Sequence, residues 1–214
     1  MSTAACESKI TFIDGVKGIL RYRGYDIDHL IEMRCSFLEV VYLLFYGVLP
    51  SKSQSQNFLK EIAEESFMPQ QVVDVIKSFP RDSHPMAMII ACFASLSAYY
   101  HNLQVIDDHF KCAIISVAKI SVIAATIYQH ISNQEFVQAN QELDYIYNFV
   151  NMIFPDINDI LKQKIAHALD TIFTLHADHE QNASAATVRM SGSSGPNLFA
   201  CLAAGSATLW GPAH

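Results

Sequence analysis

Residues Cys112–Tyr128 read CAIISVAKISVIAATIY, an apolar run with a single charged side chain, Lys119, at its middle. A membrane-spanning helix needs about 20 consecutive apolar residues. This run is shorter and carries a charge, and two further apolar runs, Met86–Tyr100 and Leu198–Trp210, are shorter still. We therefore interpret all three as helices that are buried on most faces, in a protein that is not associated with a membrane.

The composition points in the same direction. Of the 214 residues, 51% are hydrophobic and only 16% are charged, against about 25% charged residues in an average soluble domain. A chain of this length can bury a large core, and the apolar excess also favours surfaces covered by partner chains. The net charge is −7 and no Lys/Arg cluster is present, so nucleic acid is excluded as a partner.

Cysteine usage and the first residues predict a cytoplasmic location. The five cysteines are scattered, odd in number and never spaced as CxxC, which is typical of thiols in a reducing compartment. Residues 1–6 read MSTAAC and have neither the basic start nor the apolar run of a signal peptide.

A β-hairpin is predicted over Ser8–Gly24. Residues 9–13 alternate around Ile10 and Phe12, Asp14 and Gly15 supply a turn, and the next strand returns over residues 18–22. After the hairpin the apolar period becomes helical. We therefore predict a mainly α fold, with residues 1–24 as the hairpin segment and residues 25–214 as one helical large domain.

Capping residues predict where several helices begin. Ser36 and Glu39 form a capping box, and Gly47 ends that helix. Ser83 and Asp107 are expected to cap the next two long helices. The apolar periodicity predicts further helices over 142–154 and 158–174.

The polar cluster LHADHEQN at residues 175–182 is the first candidate for chemistry. His176 and His179, three residues apart, could bind a metal on one helix face, with Asp178, Glu180 or His214 completing the ligands. Two other interpretations are open: hydrogen-bonded histidines that join two helices, and a substrate site built from imidazoles.

The residues that follow this cluster are less specific. The stretch GSSG at 192–195 is not a GxSxG motif and lacks the lysine of a phosphate-binding loop. A nucleophilic serine is therefore weakly supported, and a close crossing of two helices is favoured. Arg189 is predicted either to meet an acidic substrate or to form a salt bridge.

Six stretches of the chain, in this order, resemble the bacterial, hexameric-type citrate synthases. The resemblance extends along almost the whole chain but covers only about the first half of that enzyme. The stretches are SKITFIDG (8–15), GILRYRGY (18–25), DSHPMA (82–87), HADHEQN (176–182), GSSG (192–195) and WGPAH (210–214).

The resemblance implies a mostly helical enzyme that joins acetyl-CoA to oxaloacetate and hydrolyses the thioester to citrate and CoA. It matches His214 to the histidine that donates to the acetyl-CoA carbonyl, and His179 to a histidine that binds oxaloacetate. His176 and Asn182 are implied as lining and support of the oxaloacetate site. Ser184 is implied as the residue that orients the catalytic histidine.

The same resemblance implies partners and missing parts. No metal and no cofactor are expected, with acetyl-CoA acting as substrate, and the intact protein is expected to be a homodimer or hexamer. The second active-site histidine, the catalytic aspartate, the oxaloacetate-binding arginines and the small domain would lie beyond residue 214. We therefore expect a partial sequence that is inactive by itself and whose Met1 is internal.

Regulation, substrate specificity and the possibility of a non-catalytic protein remain to be considered. The acidic pair Glu64 and Glu65 stands where NADH-inhibited members carry basic residues, so no NADH inhibition is expected. A 2-methylcitrate synthase, which uses propionyl-CoA, has the same motifs. The alternative to an enzyme is a non-catalytic helical module that only oligomerises.

Overall fold

A computed structural model describes residues 6–214, so the first five residues of the predicted 1–24 segment lie outside the described part. Within it, three short strands precede ten α-helices, which confirms the mainly α fold. The strands are β1 (Thr11–Asp14), β2 (Ile19–Tyr22) and β3 (Tyr25–Asp26). The helices are α1 (Ile27–Glu32), α2 (Phe37–Tyr46), α3 (Lys52–Glu65), α4 (Gln70–Ser78), α5 (Pro85–Tyr99), α6 (His109–Ile131), α7 (Tyr145–Ile153), α8 (Asp159–Leu175), α9 (Ala183–Gly192) and α10 (Leu198–Leu209).

The predicted hairpin is present, and it is extended by a third strand. β1 pairs antiparallel with β2, with Thr11 opposite Tyr22. β3 then pairs antiparallel with β2, with Tyr25 opposite Tyr22. Arg23 and Gly24, between β2 and β3, both have positive φ, at 50° and 91°, as a two-residue turn that matches the twist of its strands requires. The helical period after Gly24 concealed this short strand.

Helix α6, which contains the run Cys112–Tyr128, forms the centre of the core. Ile115 and Ile123 of α6 pack with Met88 of α5 and Phe199 of α10 in the largest apolar cluster. Helices α3, α4 and α7 also contact α6. The helix is long and apolar enough to cross a membrane, but 61% of its most apolar window is buried inside the fold. The central helix of a globular core can be equally long and apolar. Length and composition alone are therefore weak evidence that α6 spans a membrane.

Lys119, the charge in the middle of α6, links this helix to the end of α3. Only 1% of its surface is exposed, and its Nζ donates hydrogen bonds to the carbonyls of Glu65 at 2.7 Å and Phe67 at 2.5 Å. The last carbonyls of a helix have no partner within the helix. The buried ammonium therefore satisfies carbonyls at the carboxyl end of α3, as a charged group inside a core must be compensated.

This burial predicts a pH-dependent stability. Desolvation lowers the pKa of Lys119 to about 8, although the charge of Glu65 acts in the opposite direction. Lysine in the unfolded chain titrates near pH ~10.4, so between these two values the unfolded state binds more protons and stability rises with pH. We expect the unfolding free energy of the wild type to rise by ~2–3 kcal/mol relative to Lys119→Met between pH 7.5 and 10.5.

Chemical denaturation of both proteins at several pH values measures this difference, because other alkaline titrations cancel between them. A difference that does not change with pH would contradict the lowered pKa of Lys119.

Two of the three predicted caps are wrong by one residue. Ser36 and Glu39 form the predicted capping box of α2. Helix α5 is capped by His84, not by Ser83, because His84 Nδ1 accepts from the backbone N–H of Met86 at 3.2 Å. Helix α6 is capped by Asp108, because Asp107 ends a preceding 3₁₀ turn and Asp108 accepts from the N–H of Lys111.

The last predicted helices are present with shifted ends. The helix predicted over 142–154 is α7, which begins after its cap Asp144. The helix predicted over 158–174 is α8, which begins after its cap Asn158 and extends to Leu175. The long connection over residues 132–144 is held by Gln129, which is fully buried and donates to the carbonyls of Val137 and Met152.

Candidate active site

The two candidate segments meet through a pair of helices. The loop over residues 176–182 leads into α9, and the turn over residues 210–214 follows α10. The two helices pack along each other, and Thr208 Oγ1 of α10 donates to Thr187 Oγ1 of α9 at 2.9 Å. The start of α9 therefore lies beside the end of α10, although 30 residues separate Ser184 from His214.

Ser184 and His214 form the central contact of this site. Ser184 Oγ lies 2.7 Å from His214 Nε2. The hydroxyl can donate its proton to a neutral Nε2, and the imidazole proton then resides on Nδ1. In that tautomer the exposed ring of His214 presents an N–H donor to whatever binds against it.

The turn that carries His214 is shaped by Gly211. The N–H of Gly211 donates to the carbonyl of Thr208 at 3.0 Å, and the N–H of His214 donates to the carbonyl of Gly211 at 3.1 Å. A Cβ at position 211 would lie 3.2 Å from the carbonyl oxygen of Thr208, closer than side chains ordinarily approach. Glycine therefore lets the chain turn immediately after α10.

Trp210 anchors the same turn to a third helix. Its ring stacks on the ring of His84, with centroids 4.9 Å apart and planes inclined by 19°. Because His84 is the N-cap of α5, the only tryptophan of the chain ties the turn before His214 to the start of α5. Stacked aromatic rings contribute about 0.5–1.5 kcal/mol beyond the area they bury.

Gly205 sets the separation of α9 and α10. It is buried in the middle of α10, and a Cβ at this position would lie 2.6 Å from Val188 Cγ2 and 3.5 Å from the carbonyl oxygen of Ser184. A side chain of any size would push α9 away. The short Ser184–His214 distance therefore depends on a glycine that packs against the backbone of Ser184 and contributes no side chain to the site.

His176 is held at the end of α8. Its Nδ1 lies 2.8 Å from the carbonyl oxygen of Ile172, and since a carbonyl only accepts, Nδ1 carries the proton in this contact. The residue also borders an apolar cavity of about 300 Å³ whose walls include Phe149 and Phe173. This hydrogen bond lies within α8 and reaches no second helix, so the roles predicted for His176 stay predictions.

His179 lies exposed in the loop between α8 and α9. Asn182, at the end of the loop, is the N-cap of α9, and its Oδ1 accepts from the N–H of Ala185 at 2.9 Å. That oxygen stabilises the helix that carries Ser184. The role of Asn182 as lining of a substrate site stays a prediction, as does the oxaloacetate contact of His179.

Arg189 does not form the predicted salt bridge within the described residues, and its predicted contact with an acidic substrate stays a prediction. Its Nη1 donates to Oε1 of Gln181 at 2.8 Å, so within the described residues its partner is a neutral amide and not a carboxylate. The contact closes the loop back onto α9. Among residues 6–214, no group of three or more His, Cys, Asp or Glu side chains is arranged to hold a metal ion.

Sequence alone assigns no role to His84 or Gly205. A signal for His84 was present, because it lies in the stretch DSHPMA (82–87), whereas Gly205 has no local pattern that distinguishes it from an ordinary helix residue.

Comparison with known proteins gives a consistent result. The family model described as "Citrate synthase, C-terminal domain" matches residues 1–214. Among solved structures, the chain is similar to a citrate synthase from Pyrobaculum aerophilum, with 30% identity and a TM-score of 0.90 over 98% of this chain and 54% of that one.

Two further solved structures are similar over the same shares of both chains, 98% and 54%. One is the ternary complex of carboxymethyl coenzyme A and oxaloacetate with citrate synthase from Thermoplasma acidophilum, at 28% identity and a TM-score of 0.90. The other is citrate synthase from Thermotoga maritima, at 26% identity and a TM-score of 0.84. The chain therefore spans about half the length of the solved structures it matches.

Proposed function

The chain belongs to the citrate synthase family, a family of acyltransferases, and on that premise we propose that it supplies part of an active site that condenses acetyl-CoA with oxaloacetate. In this reaction the methyl carbon of acetyl-CoA, after losing a proton, bonds to the keto carbon of oxaloacetate. Water then cleaves the thioester, and citrate and CoA leave.

The contact between Ser184 and His214 is the observation that carries this proposal. The difficult step is removal of a weakly acidic methyl proton, which develops charge on the thioester oxygen. A fixed donor at that oxygen lowers the barrier, because it needs no reorganisation when the charge appears. With Nε2 bonded to Ser184 at 2.7 Å, Nδ1 of His214 is proposed to be that donor.

The base is proposed to be a carboxylate. In the resemblance to citrate synthases, no residue of this chain corresponds to the catalytic aspartate. Within residues 6–214, the ring of His214 has the hydroxyl of Ser184 as its hydrogen-bond partner. We propose that a carboxylate other than the side chains named in this site removes the proton. The part of His214 is to bind and polarise the thioester carbonyl.

The loop over residues 176–182 is proposed to bind oxaloacetate. The related Thermoplasma acidophilum protein is described as a complex with oxaloacetate and carboxymethyl coenzyme A. In this chain His179 is exposed and lies in the loop that leads into α9, the helix that carries Ser184, so its imidazole is accessible to an anion. His176 and Asn182 are proposed as lining and support.

The remaining proposals concern the intact protein. We expect a cytoplasmic homo-oligomer, a dimer or a hexamer of the bacterial type. One observation in support of an oligomer is that each helix of the pair exposes a large apolar side chain, Met190 of α9 at 76% and Leu209 of α10 at 51%. A partner chain that covered these two side chains would remove their apolar surface from water.

The proposed reaction is tested by incubating the protein in its full natural length with oxaloacetate and either acetyl-CoA or propionyl-CoA. We expect citrate and free CoA from acetyl-CoA, with kcat/KM for acetyl-CoA exceeding that for propionyl-CoA. We expect the 214-residue polypeptide assayed by itself to release no CoA, since no proton-removing carboxylate is assigned in it.

Preference for propionyl-CoA would instead identify a 2-methylcitrate synthase. No product from either thioester would contradict the proposal, and CoA release by the 214-residue polypeptide would contradict the need for a base from elsewhere.

A further inference from the structure

The N-terminal sheet contacts the loop over residues 176–182 at two points. Tyr22 of β2 reaches the backbone of Asp178 and Leu175. Glu180, in the loop, reaches the backbone of Ile13 in β1. These contacts join parts of the chain that are more than 150 residues apart, and none of them belongs to the Ser184–His214 pair.

The hydroxyl of Tyr22 bridges the start of the loop. It accepts a hydrogen bond from the N–H of Asp178 at 3.3 Å, and its proton faces the carbonyl oxygens of Asp178 at 3.3 Å and Leu175 at 3.4 Å. A phenol has one proton to donate and lone pairs to accept, so this one group satisfies both an N–H and a carbonyl. Tyr22 is fully buried, and burial raises the pKa of its hydroxyl, which keeps it a donor.

Glu180 connects the loop to β1 at a second point, two residues after Asp178. Its backbone is left-handed, with φ of 53°, a conformation that residues with a side chain rarely adopt. The N–H of Glu180 donates to Oδ2 of Asp178 at 2.9 Å, and its Oε1 accepts from the N–H of Ile13 at 3.1 Å. The carboxylate thus satisfies an N–H on the outer edge of β1, where no strand from residues 6–214 is paired.

His179 lies between these two fastened residues. With Asp178 held by Tyr22 and Glu180 held by Ile13, the backbone on both sides of His179 has a fixed position relative to the sheet. We infer that Tyr22 and Glu180 are positioning residues for His179 in oxaloacetate binding, an inference that rests on the proposed function. The N-terminal sheet then acts as a support for the substrate loop.

This arrangement separates two parts of the site. His214 is positioned by Ser184 and by the packing of α9 on α10, neither of which involves the sheet. Loosening the sheet contacts should therefore weaken oxaloacetate binding and leave the acyl-CoA contact nearly unchanged. A defect that only lowered the overall stability would affect both substrates.

The experiment uses the full natural-length protein with three substitutions. Tyr22→Phe removes only the hydroxyl and Glu180→Ala removes the acceptor, and each is expected to raise KM for oxaloacetate roughly five- to tenfold, as the loss of a single buried or charge-assisted hydrogen bond would. KM for acetyl-CoA is expected to change less than about twofold. Glu180→Gln keeps an acceptor oxygen and should restore most of the oxaloacetate affinity.

Tyr25→Phe is the matched control. Tyr25 lies in β3 of the same sheet and packs in the same apolar cluster as Tyr22, but the loop contacts described above do not include its hydroxyl. It should leave both KM values at the wild-type level. Equal increases in the two KM values, or an unchanged KM for oxaloacetate in Tyr22→Phe and Glu180→Ala, would overturn the inference.

Amide hydrogen exchange over residues 176–182 keeps this test separate from that of the proposed function. A wild-type protein that makes no product from either thioester would refute the function. Faster exchange of the loop in Tyr22→Phe and Glu180→Ala, but not in Tyr25→Phe, would still show that the contacts with the sheet stabilise the loop conformation. Unchanged exchange in those variants would overturn it.

Discussion

Replacing His214 by alanine in the full natural-length protein is expected to lower kcat for citrate formation by roughly 10²–10³-fold, the usual effect of removing one donor from a developing oxyanion. The reason is that Nδ1 of His214, with Nε2 bonded to Ser184, is the proposed donor to the thioester oxygen. Steady-state kinetics with saturating oxaloacetate and acetyl-CoA measures the loss. Ser184→Ala should have a smaller effect, roughly tenfold, because it removes only the tautomer control.

The control for this prediction is His29→Ala, which removes an exposed histidine of α1 and should leave kcat unchanged. Because His214 is also exposed, its replacement should not alter the thermal midpoint of unfolding. A kcat for His214→Ala within about threefold of the wild-type value would remove His214 from the mechanism.

The second large effect is expected from Gly205→Ala. In an exposed helix position this substitution normally stabilises by about 1 kcal/mol. Here the new Cβ would lie 2.6 Å from Val188 Cγ2, and a valine side chain has little freedom to rotate away. Overpacking of this kind costs about 1–3 kcal/mol, so we expect a net loss of stability, measured by denaturant unfolding, together with a fall in kcat as Ser184 moves away from His214.

Gly192→Ala is the matched control, because a Cβ at position 192 would meet its nearest neighbour, Cys201 Sγ, at an ordinary 3.9 Å. It should be close to neutral. The double variant Gly205→Ala/Val188→Ala should recover part of the lost stability, since residues in contact couple by about 0.5–3 kcal/mol. If Gly205→Ala is as stable as the wild type, this glycine does not set the spacing of α9 and α10.

Much of the fold follows from patterns within a few residues. The hairpin with its Asp14–Gly15 turn, the capping box of Ser36 and Glu39, and the helical period of the long segments all depend on local chemistry. The errors are local too. Asp107 and Ser83 are each one residue from the actual caps, Asp108 and His84, because neighbouring polar side chains compete for the same N–H groups.

The candidate site was predictable only as a set of residues. The motifs that contain His179 and His214 are visible in the sequence, and the resemblance implies Ser184, but the partner of each side chain is not visible. Arg189 shows this clearly, since its expected carboxylate partner is replaced by the amide of Gln181. Which acceptor an arginine meets depends on how a loop closes, and the loop conformation depends on contacts elsewhere.

By itself, the amino-acid sequence determined the helical class, the hairpin and most element positions, because these depend on local propensity and periodicity. It predicted the residues of the site from its motifs. Only the tertiary structure decided that Lys119 satisfies the end of α3, that Gly205 lets α9 approach α10, and that Tyr22 holds the loop before His179. Each of these contacts joins elements distant in sequence. Its existence depends on the distance between packed surfaces, and no local pattern encodes that distance.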